Sequence, residues 1–234
     1  MSNLGVGYTP EINGEKLNLQ VLAQHGNNLI LRDNVSGEPI QQIHGYREKD
    51  GATGPVMKPW PSFRMSFRGF QKAYPEGMVF LNKPPSNKLL ALFDMVVETV
   101  LSSGILHQHN EAKPFVENMS HFDGRLPNKT YVWGLDIGSD AVCYTDDFVV
   151  ENGGLINAVV GGRDIVVAYA PLFESVGIWY NDSGSPISQV DFFGKSDQGQ
   201  LSRVETVKAG MFWHVWVEFF PHTDINRVGA PSAS

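Results

Sequence analysis

The sequence predicts an α+β fold, with largely antiparallel sheets and few helices, and three observations carry that reading. Most apolar segments are short, rich in β-branched and aromatic residues, and bounded by Gly, Asn or Ser. Helical spacing is confined to the stretches 67–74, 87–104 and 213–220. The third observation is an internal echo: Ser36-Gly37-Glu38-Pro39-Ile40-Gln41-Gln42-Ile43 recurs as Ser183-Gly184-Ser185-Pro186-Ile187-Ser188-Gln189-Val190. Gly37 and Gly184 lie 147 positions apart and Pro75 and Pro221 lie 146 apart, so two motifs keep one register. The expected architecture is a single domain over 1–234. Its half-domains, at about 28–82 and 176–227, are related by a pseudo-twofold and joined by a helix at 87–104 and a strand-rich segment at 129–170.

Taken in order, Leu29-Ile30-Leu31 reads as a strand that turns at Ser36-Gly37, just as Gly177-Ile178-Trp179-Tyr180 does before Ser183-Gly184. Phe67, Phe70 and Tyr74 stand at i, i+3 and i+7, as do Trp213, Trp216 and Phe220, and each set marks one face of a short helix stopped by proline. The stretch from Leu89 to Leu106 reads as a buried amphipathic helix, with Ser86 as N-cap and Gly104 as terminator. The polar stretch His107 to Asn128 reads as loop. Tyr131–Ile137 and Ala141–Tyr144 form one expected hairpin across Gly138-Ser139-Asp140, and Ile156–Val160 and Arg163–Tyr169 form a second across Gly161-Gly162.

Composition narrows the chemistry. The chain has 234 residues, 42% of them hydrophobic and 18% charged, which excludes disorder. A net charge of -7 repels phosphate backbones and anionic lipid, so neither nucleic acid nor a membrane is an expected partner. Cys143 is the single cysteine, which excludes an intramolecular disulfide and a Cys-rich zinc site and suits a reducing compartment. Met1–Tyr8 lacks the basic start and apolar run of a secretory signal, and Asp94 and Glu98 interrupt the longest apolar run, so a cytoplasmic location is expected. The Asn-x-Ser/Thr sequons at Asn34, Asn118, Asn128 and Asn181 are then coincidental.

Asn157-Ala158-Val159-Val160-Gly161-Gly162-Arg163, followed by Val166-Val167-Ala168-Tyr169-Ala170-Pro171-Leu172-Phe173, resembles an uncharacterised prokaryotic domain family with the signature V-N-D-x-x-G-G-x-x-V and then Y-C-P-L-C. Asp123-Gly124-Arg125-Leu126-Pro127 with Val132-Trp133-Gly134-Leu135 looks like that family's D-x-R-L-P and V-x-G-V, and Trp213 to Pro221 is similar to its T-W-x-x-W ending in proline. The likeness spans roughly Asn28 to Arg227, and its specific elements are the glycine pair and the Tyr-x-Pro-Leu core. It implies a fold more than a function. The family's two cysteines fall on Ala170 and Phe173, its frequent histidine near Gly153, and its aspartate on Ala158. Thiolate metal binding and dithiol redox chemistry are therefore not carried over.

Other candidate chemistry is sparse. His107, His109 and His121 form a possible imidazole group, with H-x-H on an extended segment able to aim both rings one way. His214 reads as a packing or capping residue, and His44 and His222 have no evident partner. Asp136, Asp140, Asp146, Asp147 and Glu151 lack a calcium-loop pattern; Asp140 suits a turn, and Asp146-Asp147 a helix N-cap. No G-x-S-x-G, P-loop, G-x-G-x-x-G or H-E-x-x-H occurs. Cys143 reads as a small buried hydrophobe. The expected function is a non-catalytic binding or assembly module for a small apolar ligand or a protein partner, with no cofactor. Its ligand-facing residues would be Asn157, Tyr169, Leu172, Phe173, Asp123 and Arg125, where segments joining the halves meet. The alternative is a metal-binding protein or enzyme using His107, His109 and His121, or Asp123 and Arg125, at that seam.

Overall fold

The computed structural model describes residues 6–79, 87–110 and 119–229. The amino-terminal part is built from short antiparallel pieces. Strand β1 (Gly7–Tyr8) leads to the tight hairpin β2 (Glu11–Ile12) and β3 (Glu15–Lys16), then to a meander of β4 (Leu19–His25), β5 (Asn28–Asp33) and β6 (Pro39–Gln41), and β7 (Pro59–Trp60) returns to pair with β1. Ile12, Leu17, Ile40 and Met57 are its buried centre. Helix α1 (Phe67–Ala73) follows, capped by the Ser66 hydroxyl accepting the Gly69 N–H at 3.0 Å.

Both expected hairpins form. Strands β8 (Tyr131–Ile137) and β9 (Asp140–Tyr144) pair antiparallel, as do β10 (Leu155–Val160) and β11 (Arg163–Ala170), to which β12 (Ser175–Tyr180) adds. Gly161 and Gly162 take φ of 56° and 73°, the left-handed turn that glycine adopts without strain. Helix α3 (Asp146–Glu151) sits between the hairpins, and the small hairpin β13 (Lys195–Ser196) and β14 (Gly199–Gln200) follows β12. Strand β15 (Lys208–Phe212) then joins the edge of β8, helix α4 (Trp213–Phe219) follows it, and β16 (Asp224–Ile225) pairs parallel with β9.

Alternation along β8 and β9 splits the core into two layers. Trp133, Leu135, Val142 and Tyr144 face the β10–β11–β12 sheet, packing with Ile156, Val160, Ile165 and Ile178. Val132 and Cys143 face the other way, against Trp213, Trp216 and Phe220. Gly134 makes that second layer possible: a Cβ there would stand 2.3 Å from the Trp216 ring.

Several expectations need correction. The helix expected at 87–104 forms as α2 (Lys88–Asn110), running through Gly104 and taking in the first residues of the expected loop. Glycine inside a helix costs only about 1 kcal/mol, too little to end one that the flanking sequence supports. Asn87, whose Oδ1 accepts the Leu89 N–H at 2.9 Å, caps its start, and Ser86 lies outside the described residues. The helix is not buried: Leu89, Phe93 and Val100 are 75%, 65% and 64% exposed, because helical periodicity fixes which side chains share a face but not what covers it. No helix among the described residues is long and apolar enough to cross a membrane. At α3 the N-cap is Thr145, and Asp146 and Asp147 occupy the first turn, where their charge complements the helix dipole.

The repeat has local counterparts. Helices α1 and α4 are both seven residues long, and Gly37 and Gly184 have φ of 76° and 71°. The copies diverge elsewhere: Pro39–Gln41 is a ladder strand on β5, whereas among 186–190 only Val190 makes a bridge, to Ser196. Trp213, Trp216 and Phe220 are buried while Phe67 is 61% exposed. These local matches do not establish a duplication or a pseudo-twofold.

Candidate functional site

The segment Ala168–Phe173 ends β11 and turns. The Phe173 N–H closes the turn on the Ala170 carbonyl at 3.0 Å, and Glu174 takes φ of 50° before β12 begins. Phe173 is wedged against Phe192 and Phe193, with ring centroids at 4.5 and 6.1 Å, and Phe192 stacks edge-on to Phe63 at 5.2 Å. The backbone of α1 comes so close that a Cβ on Gly69 would stand 2.8 Å from the Phe173 Cα. Beneath this cluster the Arg203 guanidinium lies 4.6, 5.0 and 4.6 Å from the ring centroids of Phe63, Trp179 and Phe192 and donates to the Phe192 carbonyl; burial draws its pKa below the ordinary arginine value.

What remains open is an apolar recess of about 210 Å³, lined by Ala168–Phe173, Trp179, Val190, Asp191 and Phe192. Leu172 forms its outer lip, 56% exposed. Ala170 and Phe173 both line it. Across Tyr169 a more polar cleft of about 430 Å³ is lined by Arg64, Ser66, Asp146 and Glu174. Burial raises the Asp146 carboxyl there, partly offset by a hydrogen bond from the Trp133 indole.

Of the six expected ligand-facing residues, Tyr169, Leu172 and Phe173 meet at the recess, and Asn157, Asp123 and Arg125 do not. The Asn157 amide is used up in bonds to the Ile187 backbone. Asp123 and Arg125 pair with each other at 2.6 Å, Arg125 also donates to the Thr223 carbonyl at 3.1 Å, and the Trp213 indole donates to the Asp123 carbonyl at 2.8 Å. This latch holds the 119–128 segment to α4. Arg125 keeps the Asp123 carboxyl below its usual range.

The histidines separate similarly. His107 and His109 fall on helical backbone in α2, not on an extended segment, and their side chains lie outside the described residues. His121 sits elsewhere, its Nδ1 3.8 Å from Glu218 Oε2. No group of three or more His, Cys, Asp or Glu among the described residues is arranged to hold a metal ion. Three members of the acidic run are engaged: Asp136 bonds Lys208 at 2.9 Å, Asp140 bonds Arg227 at 2.8 Å, and Asp146 takes the Trp133 indole. Cys143 is fully buried, and burial pushes its thiol well above the ordinary range. His214 is buried with Nδ1 2.6 Å from the Asn128 carbonyl, as a packing residue should be.

Sequence reasoning missed a second cleft altogether. It has about 520 Å³ and lies between the β4–β5 hairpin, the 41–51 segment and α4, with His25, Gln41, His44, Glu48, His121 and Glu218 among its lining residues. The signal available was Glu218 itself, a carboxylate inside the otherwise aromatic and aliphatic Trp213–Phe220 stretch.

Neither a curated protein nor a solved structure matches this chain. A family model described as a protein of unknown function, DUF3179, matches residues 1–223, and by that coverage the chain belongs to the DUF3179 family.

Proposed function

We propose that this chain is a non-catalytic binding module and that the recess at Ala168–Phe173 receives one apolar or aromatic group, from a small ligand or from a partner's side chain. The observation that carries this reading is the open apolar recess lined by Ala170, Pro171, Leu172, Phe173 and Trp179. At about 210 Å³ the recess is smaller than the ~300–1,000 Å³ of drug-sized sites, which suits a single ring better than a whole cofactor. Removing its walls from water is the driving force, and Leu172 supplies exposed apolar surface at the rim. The carboxylate lining the recess, Asp191, accepts the Phe193 and Lys195 N–H groups at 2.9 Å each, a structural role that favours binding over catalysis.

Indole is a suitable probe. Titrated into the full chain, it should saturate with a dissociation constant on the order of 1 mM, read from the fluorescence of a non-absorbing analogue or by calorimetry. Leu172→Glu, at an exposed position, should leave the fold intact and abolish binding. Equal binding by wild type and Leu172→Glu would reject the recess as the site.

A further inference from the structure

We propose that the cleft between the β4–β5 hairpin and α4 is a second binding site, for a neutral polyhydroxyl ligand of carbohydrate type. It shares no lining residue with the recess at Ala168–Phe173, so the two readings stand or fall separately.

The first support is an unmet hydrogen bond at the cleft wall. Gln41, only 6% exposed, lines the cleft; its Oε1 accepts the His44 N–H at 3.0 Å while its Nε2 has no acceptor among the described residues. A buried polar atom left unpaired costs about 1–3 kcal/mol, so the Gln41 amide points to a partner that the described residues do not provide.

The lining chemistry then selects the class. Neither Lys nor Arg is among the lining residues, whereas Glu48 and Glu218 are, so an anion would meet two carboxylates and no permanent cation. A bare cation would suit the carboxylates but has no lone pair to offer Gln41. Hydroxyl groups answer both demands, since each donates to a carboxylate and accepts from an amide or an imidazole. Glu218 is held ready: its Oε2 accepts the Ser120 and His121 N–H groups at 2.9 and 3.0 Å, which fixes a carboxylate that is only 8% exposed. Burial holds His44 down to about 4, so at neutral pH its ring carries one donor and one acceptor. His44 stacks on Tyr46 at 5.4 Å and meets Phe219 edge-on at 5.9 Å, giving the ring faces against which the C–H side of a sugar packs. A cleft of about 520 Å³ lies within the usual range for small-molecule sites.

The test uses the full chain, isotope-labelled for amide NMR and titrated separately with glucose, maltose, sucrose, methylammonium and inorganic phosphate. At least one sugar should shift the Ser120 and His121 amides and the Gln41 side-chain amide saturably. His121→Ala, at a ring about half exposed, and Glu48→Gln, at an exposed position, should each weaken that binding roughly threefold to tenfold. Leu172→Glu should leave it unchanged. The proposal is overturned if no sugar saturates these shifts, if methylammonium or phosphate binds more tightly than every sugar, or if neither cleft variant changes the affinity.

Discussion

The side chain of Asn157 and the backbone of Ile187 form a closed two-bond pair: Nδ2 donates to the Ile187 carbonyl at 2.9 Å and Oδ1 accepts the Ile187 N–H at 2.9 Å. An amide side chain thereby takes the place of a neighbouring strand, tying the second S-G-x-P-I segment to β10. The asparagine that looked like a ligand contact is a structural brace.

Asn157→Ala should therefore destabilise the protein by about 2 kcal/mol, because both bonds vanish and a largely buried N–H loses its partner. Urea denaturation measures this, and indole binding per folded molecule should be unaltered. A stable variant that binds indole poorly would return Asn157 to the site.

Cys143→Ala should cost roughly 1 kcal/mol, the scale of a small cavity beside Trp216 and Phe220. With its thiol buried and its pKa raised, native protein should resist alkylation by iodoacetamide and react fully only in denaturant. Rapid labelling of the native protein would contradict this burial.

Stability should fall between pH 6.5 and about 4. Burial holds His44 from its ordinary 6.5 down to about 4, so the unfolded chain takes up a proton in this window that the folded chain refuses. The stability is fully present above pH 6.5 and lost as the pH drops, by roughly 3 kcal/mol for a shift of that size. His214, also lowered by burial, adds in the same direction. Asp123 and Asp140, held below the carboxylate range by Arg125 and Arg227, extend the loss to lower pH. His44→Phe should flatten the upper part of the curve in pH-dependent denaturation, and an unchanged slope would exclude His44 as its source.

Much of the fold was legible because its signals are local. The Gly161-Gly162 turn between β-branched runs specifies a hairpin, and aromatics at i, i+3 and i+7 before a proline specify α1 and α4. What escaped depends on partners distant in sequence. Gln41 and His44 meet Glu218 only in the folded chain, so their cleft left no motif to read. Asp123 and Arg125 read as rim groups because nothing local shows that Arg125 also reaches the Thr223 carbonyl and that the Trp213 indole takes the Asp123 carbonyl. The apolar face of α2 was readable, but its exposure was not.

The central claim, an apolar binding recess at Ala168–Phe173, is tested most directly by mapping indole onto the amide and aromatic NMR spectrum of the native chain. The account predicts saturable shifts confined to Ala168–Phe173, Trp179 and Phe192, with the signals of His44 and His121 unmoved. Shifts centred on the His44 cleft, or none at the recess, would contradict it.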